Sequence, residues 1–170
     1  MKRYLGFSLL TLVCMIVLTS CTFGGRGMFY HDGPIRADKR MEQVISAISD
    51  KDMEALKSLF SKKALEEASS IDKEIDDLLN FIQGDIDSWE RDGFSSDNRN
   101  RHDKKTEMLR SHYKIVTGEE EYYFFIVDYN KDTINSYNEG VYTIQATTWA
   151  NRNNLGPWQD RLRAGVSLPK

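Results

Sequence analysis

The sequence predicts an α+β domain in which N-terminal helices pack on a curved antiparallel sheet. Apolar residues recur at helical spacing up to residue 82, and from residue 106 on, runs rich in Tyr, Phe, Val, Ile and Thr are separated by turn residues. The two patterns do not interleave, which favours α+β over a parallel α/β sheet. With 170 residues, 40% of them hydrophobic and 29% charged, the chain has the composition of one globular domain.

Residues 1–20 have the pattern of a secretory signal peptide. A positively charged start precedes an apolar run at residues 7–18, and this run, about 18 Å long as a helix, is too short to span a bilayer core of about 30 Å. The run ends in Leu-Thr-Ser-Cys, which resembles the lipobox of bacterial lipoproteins. The resemblance implies signal cleavage between Ser20 and Cys21 and attachment of a diacylglyceryl group to the Cys21 thiol. An ordinary secretory signal with a chance cysteine is the alternative.

Cleavage would leave 21 basic and 26 acidic residues, with Cys21 as the only cysteine. We therefore expect no disulfide, no nucleic-acid partner and weak repulsion from an anionic membrane, so that the lipid alone holds the protein at the extracytoplasmic face of the cell membrane. The sequence contains no paired Cys-x-x-Cys elements, P-loop or dinucleotide fingerprint. We accordingly expect no metal site and no cofactor.

Residues 21–35 are predicted to be the lipidated tether, because glycines 24, 25 and 27 favour flexibility and Gly33-Pro34 is typical of a turn. The domain is predicted at residues 36–155. Its helices are indicated by apolar stripes at residues 37–48, 53–60 and 71–82, with a short helical turn at 64–68. Gly84 is the expected stop of the last helix.

Residues 85–104 are polar and rich in turn formers, so the sequence predicts a long loop there. Trp89 and Phe94 are two of its few large apolar residues. Trp89 is expected either to line a pocket or to pin the loop to the core, and pinning is the commoner role.

Strands are predicted at residues 106–117, 121–130 and 140–149, and the tail, 156–170, is a candidate edge strand. The second run is apolar on both faces. Either Tyr122, Phe124 and Ile126 or Tyr123, Phe125 and Val127 face the helices, and the other set has to be covered by something else. We expect a homodimer through the sheet. Cover by the loop around Trp89 and Phe94, or by the tail around Trp158, is the alternative.

Two phrases carry a resemblance to a known superfamily. Residues 41–61, a helix, a turn and a second helix ending in Leu-Phe, are similar to the start of nuclear-transport-factor-2-like domains. The run Ile-Asp-x-x-Ile-x-x-Leu-Leu-x-Phe-Ile-x-Gly at residues 71–84 resembles an uncharacterised group of small Gram-positive lipoproteins assigned to that superfamily. The resemblance covers residues 36–150 and implies a cone, a curved sheet wrapped on helices with a pocket at its open end. The superfamily includes isomerases, dehydratases and binding domains, so it does not choose a function.

The enzymes of this superfamily place an acid or a His-Asp pair inside the cone, and His112 and Asp128 are the nearest candidates by position. The aromatic residues expected to line a pocket are Trp89, Tyr113, Tyr142 and Trp149. We expect a non-catalytic domain that binds a small ligand or a protein partner. The alternative is a small lyase or isomerase. A cone plugged by aromatic side chains would favour binding, and an open, wet cone with a buried carboxylate or imidazole would favour catalysis.

Overall fold

The computed structural model describes residues 32–153 and 161–166, in which helices precede a five-stranded sheet. The helices are α1 (Asp32–Ser49), α2 (Met53–Ser58), α3 (Lys62–Glu67) and α4 (Ile71–Phe81). The strands are β1 (Ile86–Arg101), β2 (Lys104–Thr117), β3 (Glu121–Asp132), β4 (Gly140–Thr148) and β5 (Leu162–Gly165). The predicted signal peptide, Cys21, most of the tether and Trp158 lie outside the described residues.

The strands lie side by side in chain order, each antiparallel to its neighbour. β1 and β2 form a long hairpin whose two-residue turn, His102-Asp103, has positive φ at both positions (46° and 64°). That backbone is the type I′ turn, whose twist matches that of the strands it joins. The predicted α+β class is confirmed, and β5 confirms that the tail supplies an edge strand.

Local signals explain why the helices begin where they do. The Asp52 carboxylate accepts a hydrogen bond from the Ala55 N–H (2.8 Å), and the Ser61 hydroxyl accepts one from the Ala64 N–H (3.1 Å), so both side chains cap a helix. Each predicted helix is present. Beyond α4, Gly84 has a φ of +77°, which fits its predicted role as a stop.

The helices cover one face of the sheet, which we call the helix face. Tyr122, Phe124 and Ile126 are at most 2% exposed and pack in one core with apolar residues of all four helices. Of the two alternatives for β3, this set therefore meets the helices. The opposite set, which includes Phe125 and Val127, points to the other face, called here the outer face.

Two predictions about irregular segments are wrong. Residues 86–101 form β1 and not a loop, because their backbone pairs with β2 along the whole length while most of their polar side chains stay exposed. A strand at the sheet edge needs backbone pairing more than apolar side chains, so composition alone misassigned it. Gly33-Pro34 is not a turn but lies in the first turn of α1, where proline loses no helical hydrogen bond.

Candidate functional site

The predicted pocket side of the sheet is occupied by ion pairs between α1 and the strands. In each pair a carboxylate oxygen lies within 3.2 Å of a guanidinium nitrogen, and the pairs are Arg36–Glu107 (2.7 Å), Arg40–Asp128 (3.2 Å) and Asp38–Arg91 (2.5 Å). Such charge-assisted contacts fix the axis of a helix on a sheet. They also use the carboxylates that a catalytic site on this face would need.

Asp128 is the most deeply buried of these carboxylates, with a side chain only 6% exposed. Its Oδ2 accepts a hydrogen bond from Arg40 Nε, whereas its Oδ1 is buried with no hydrogen-bond partner in the described part of the chain. Burial raises the pKa of Asp128, and the nearby Arg40 guanidinium opposes that rise. Arg40 is therefore the group that favours the ionised form of this carboxyl against the effect of burial.

Aromatic rings fill the neighbouring space on the helix face. Tyr113 is fully buried, its hydroxyl donates to Asp38 Oδ1 (3.3 Å), and burial raises its pKa. The Trp89 ring meets the Tyr113 ring edge-on, with centroids 5.7 Å apart, and packs on the core. Trp89 thus has the pinning role, although it anchors a strand and not a loop.

On the outer face, one row of cross-strand partners runs through all five strands. Directly opposed residues of antiparallel strands point to the same face, and this row consists of Gly93, His112, Phe125, Gln145 and Arg163. The His112 ring stacks on Phe125 (4.7 Å between centroids) and its Nδ1 shares a hydrogen bond with the Tyr123 hydroxyl (2.5 Å). A Cβ at Gly93 would approach His112 Cδ2 to 3.2 Å, so glycine leaves room for the ring. Burial lowers the pKa of His112.

Cations and aromatic rings converge beside this row. Lys114 Nζ and Arg152 Cζ lie 5.1 Å and 4.1 Å from the centroid of the Trp149 ring, and Arg161 Cζ lies 5.4 Å from that of Tyr123. Two carboxylates accompany them: Glu121 pairs with Lys114 at 2.6 Å, and Asp92 acts electrostatically on His112. We call the following residues the cationic–aromatic cluster: Lys114, Tyr123, Trp149, Arg152, Arg161 and Arg163.

Two arginines of this cluster are partly buried, which is unusual for cations. Arg163 Nε is buried and has no hydrogen-bond partner among the described residues. Burial lowers the pKa of Arg161, whose Nη1 lies 3.4 Å from Gln145 Oε1. A buried guanidinium nitrogen without an acceptor is costly, so a negatively charged group beside Arg163 Nε would be favourable.

The structure separates the residues that the sequence grouped. His112 lies in the outer-face row, whereas Asp128 contacts α1 on the helix face, so the two do not form a pair. Tyr142 contacts Tyr129, with ring centroids 5.5 Å apart, and Trp149 contacts Tyr123 near the opposite end of β3. The four predicted pocket residues therefore fall in three separate places among the described residues.

Sequence reasoning missed Arg161 and Arg163 as candidate site residues. A usable signal existed, because two arginines at alternate positions of a strand point to the same face. Arg152 and Lys114 gave no such signal, since only the tertiary fold brings them to Trp149.

A cavity of about 640 Å³ is lined by Arg99, Asn100, Arg101, Lys104 and Ile134. A second cavity, of about 250 Å³, is lined by Ile48, Ser49, Lys51, Ile82, Gly84, Asp85 and Ile86. Neither of these two cavities contains a predicted pocket residue. Within residues 32–153 and 161–166, no group of three His, Cys, Asp or Glu side chains could hold a metal ion, and no helix is both long and apolar enough for a membrane span.

A family model described as a domain of unknown function (DUF5104) matches residues 43–149, from α1 to the end of the fourth strand. No curated protein matches the sequence.

Proposed function

We propose that this chain, which belongs to the DUF5104 family, is a lipid-anchored extracytoplasmic protein that binds an anionic ligand on the outer face of its sheet. Support for the anchor is the lipobox-like Leu-Thr-Ser-Cys at residues 18–21 after a short apolar run. Support for a nuclear-transport-factor-2-like cone is the likeness of residues 41–61 and 71–84 to that superfamily, together with helices packed on one face of an antiparallel sheet.

Binding is favoured over catalysis because the helix face is filled. Tyr113 and Trp89 occupy the space that an open cone would leave for a substrate, and three Arg–carboxylate pairs close it toward α1. Side chains packed in this way favour binding elsewhere on the sheet over a reaction beside these carboxylates.

The single observation that carries the proposal is the cationic–aromatic cluster. Three cations lie over two aromatic rings beside the outer-face row, and Arg163, which belongs to that row, has a buried Nε that lacks an acceptor in the described part of the chain. A carboxylate or phosphate would supply that acceptor and offset the burial of Arg161. A flat apolar body on the same molecule would stack on Tyr123 or Trp149. The ligand class is therefore an anion with an aromatic or planar group.

Titration calorimetry of the unacylated mature chain with phenyl phosphate tests this, with benzyl alcohol as the uncharged comparison. We expect phenyl phosphate to bind and benzyl alcohol not to bind. Arg161→Ala should weaken binding about tenfold or more, since a hydrogen bond to a charged group contributes about 1.5–3 kcal/mol. Lys73→Ala, at an exposed lysine of α4 outside the cluster, is the control and should leave binding unchanged. Equal binding of the two compounds would overturn the proposed ligand class.

The anchor is tested separately by metabolic labelling with a fatty acid. The native chain should be labelled and found with membranes, whereas Cys21→Ala should be unlabelled and left as uncut precursor. Continued labelling of that variant would exclude Cys21 as the acylated residue.

A second copy of the chain is another occupant of the outer face. The reason for expecting a dimer was the cost of leaving three large side chains of β3 in water, about 1.5–3 kcal/mol each. Phe125 and Val127 are only 5% and 0% exposed within one chain, so that reason no longer holds for them. A homodimer stays a prediction, and sedimentation of the unacylated chain with and without Arg161→Ala would detect a dimer that uses the cluster.

One observation favours a small lyase or isomerase as the second candidate function. The buried Asp128, with its raised pKa and unpaired Oδ1, has the properties of a general base. Such a base must be reachable by substrate. Carbodiimide coupling of glycine ethyl ester to the folded chain tests this, because modification of Asp128 would favour the enzyme and protection would favour the ion pair as a structural contact.

A further inference from the structure

We propose that the tip of the β1–β2 hairpin, residues 97–105, docks on the anionic phospholipid surface of the membrane that holds the chain. The proposal rests on the lipid anchor proposed above, but it concerns a different surface from the cationic–aromatic cluster. It predicts that the domain is held in one orientation on the membrane by a second, electrostatic contact.

The hairpin tip differs in charge from the rest of the molecule. Residues 97–105 contain four Lys or Arg and two Asp, a net charge of +2, whereas the whole chain has a net charge of −3. Arg99 pairs with Asp97 at 3.0 Å. The side chains of Arg101, Lys104 and Lys105 have no ion pair or hydrogen bond within the described residues, so their charges are available to an external anion.

The same tip presents an open cavity with an apolar edge. The 640 Å³ cavity lies between the basic side chains and Ile134, whose side chain is 62% exposed. The Thr133 N–H donates to the Lys105 carbonyl (2.9 Å), and the Lys105 N–H donates to the Thr133 hydroxyl (2.7 Å). These bonds hold Ile134 beside the hairpin. Cations next to an exposed large apolar side chain suit the boundary between headgroups and acyl chains.

The start of α1 packs on the half of the hairpin that is nearer the tip. A Cβ at Gly33 would lie 3.0 Å from Phe94 Cζ, and Arg36 pairs with Glu107, so the first turn of α1 packs on the strand halves that lead to the tip. Glu107 is three residues from Lys104, or about 10 Å along the strand. The anchor at Cys21 precedes α1 by residues 22–31, which can span at most about 35 Å. The membrane is therefore within reach of the tip.

The other end of the hairpin provides an internal control. Gly118 follows β2 directly and lies about 45 Å from Lys104 along the strand. A Cβ at Gly118 would have no atom within 4 Å, so a cysteine and its label fit there without disturbing the fold. In an acylated chain the Cys21 thiol is blocked, so Asn100→Cys and Gly118→Cys each introduce a single reactive thiol.

The experiment uses the full acylated chain in vesicles that contain a nitroxide-labelled headgroup lipid, with or without phosphatidylglycerol in a phosphatidylcholine background. A fluorophore at position 100 should be quenched severalfold more on the anionic vesicles, and the excess should disappear at high salt because exposed charges are screened. A fluorophore at position 118 should not respond to phosphatidylglycerol. Mass spectrometry of each sample verifies that Cys21 carries the lipid.

Charge-matched variants show whether the tip is responsible. Arg99→Ala/Arg101→Ala/Lys104→Ala should reduce quenching at position 100 to the level seen on phosphatidylcholine alone. Lys39→Ala/Lys57→Ala/Lys73→Ala removes the same charge from helical positions and should leave the quenching unchanged.

Three results would overturn the proposal: equal quenching on both kinds of vesicle, equal loss in the two triple variants, or loss of quenching with inorganic phosphate but not with sodium chloride of equal ionic strength. The last would indicate a site for free phosphate.

If Cys21 carries no lipid, the proposed anchor is wrong, and the hairpin is then tested by cosedimentation of the unacylated chain with anionic vesicles. There the tip variant should bind at least tenfold more weakly than the helical variant, since each cation near the surface contributes about fivefold; equal binding would refute the docking.

Discussion

Removal of the Arg40 side chain should destabilise the fold, because the buried Asp128 carboxylate would lose its ion-pair partner. Arg40 Nε lies 3.2 Å from Asp128 Oδ2, and the arginine side chain is 24% exposed whereas that of Asp128 is 6% exposed. In Arg40→Ala, Asp128 keeps no hydrogen-bond partner among the described residues. The variant therefore tests how much of the stability depends on pairing one buried charge.

The magnitude follows from the distance and the burial. Two unit charges 3.2 Å apart attract by about 5 kcal/mol at an effective dielectric constant of about 20. Part of that attraction is offset by the cost of removing the two charged groups from water. Removing one partner of a buried ion pair typically costs about 3–5 kcal/mol. We expect a loss of about 3 kcal/mol in the free energy of unfolding at neutral pH. For a domain of this size, that corresponds to a decrease in Tm of about 8–12 °C.

The loss should depend on pH in a defined direction. Burial raises the pKa of Asp128 above the value of about 3.9 expected in the unfolded chain, and removal of the opposing cation raises it further. A carboxyl whose folded pKa is raised disfavours folding where it is ionised and ceases to do so once it is protonated. The difference between the native chain and Arg40→Ala should thus be largest at neutral pH and shrink as the pH falls through the raised pKa.

Urea unfolding of the unacylated chain followed by circular dichroism, at neutral pH and near pH 4.5, measures both effects. The double variant Arg40→Leu/Asp128→Asn removes both charges and should recover most of the lost stability. Arg99→Ala, which breaks an exposed pair, is the control and should produce no measurable change. A loss in Arg40→Ala that is below about 1 kcal/mol, or that is the same at both pH values, would refute the reasoning.

Three further outcomes follow from backbone geometry and burial. Gly165→Ala should lower the unfolding free energy by at least about 2 kcal/mol, because Gly165 has a φ of +100° and a Cβ there would lie 2.5 Å from the Tyr142 carbonyl oxygen; urea unfolding with an unchanged midpoint would contradict this. Asp103→Gly should raise stability by about 0.5–1 kcal/mol, since glycine adopts the positive φ of this turn without strain, and a lower Tm would argue against the I′ turn. The His112 ring should titrate in NMR below the ordinary pKa of about 6.5, owing to burial, and a measured value above it would show that the Asp92 carboxylate outweighs burial.

The helices could be predicted from the sequence because one-sided burial imposes a period of 3.6 residues. Ile75, Leu78 and Leu79 follow that spacing in α4, and each is at most 4% exposed. β1 could not be predicted in this way. Its stability comes from backbone bonds to β2, which has the alternating pattern that β1 lacks, so the signal for β1 lies in its partner strand.

The candidate site was less predictable than the fold. A single sequence gives the face of a residue only where the strand register is known, and a bulge between Val127 and Asp128 changes the register next to one of the predicted catalytic residues. His112 and Asp128 were proposed as a pair because of their residue types. The strand register places them on opposite faces of the sheet. The cationic–aromatic cluster joins β2, β3, β5 and the turn after β4, and no local pattern links such distant segments.

Net charge predicted weak repulsion between the mature chain and an anionic membrane, but a membrane surface responds to charge within about one Debye length, near 8 Å at physiological salt. Residues 50–85 contain ten acidic and five basic residues and supply the acidic excess, whereas residues 97–105 are net positive. Asp85 precedes β1 at the end of the sheet that holds Gly118, about 45 Å along the strand from the hairpin tip. Asp85 is therefore too far from the hairpin tip to offset its positive charge. The sign of the interaction therefore depends on which end faces the lipid, and the packing of the first turn of α1 beside the hairpin favours the basic end.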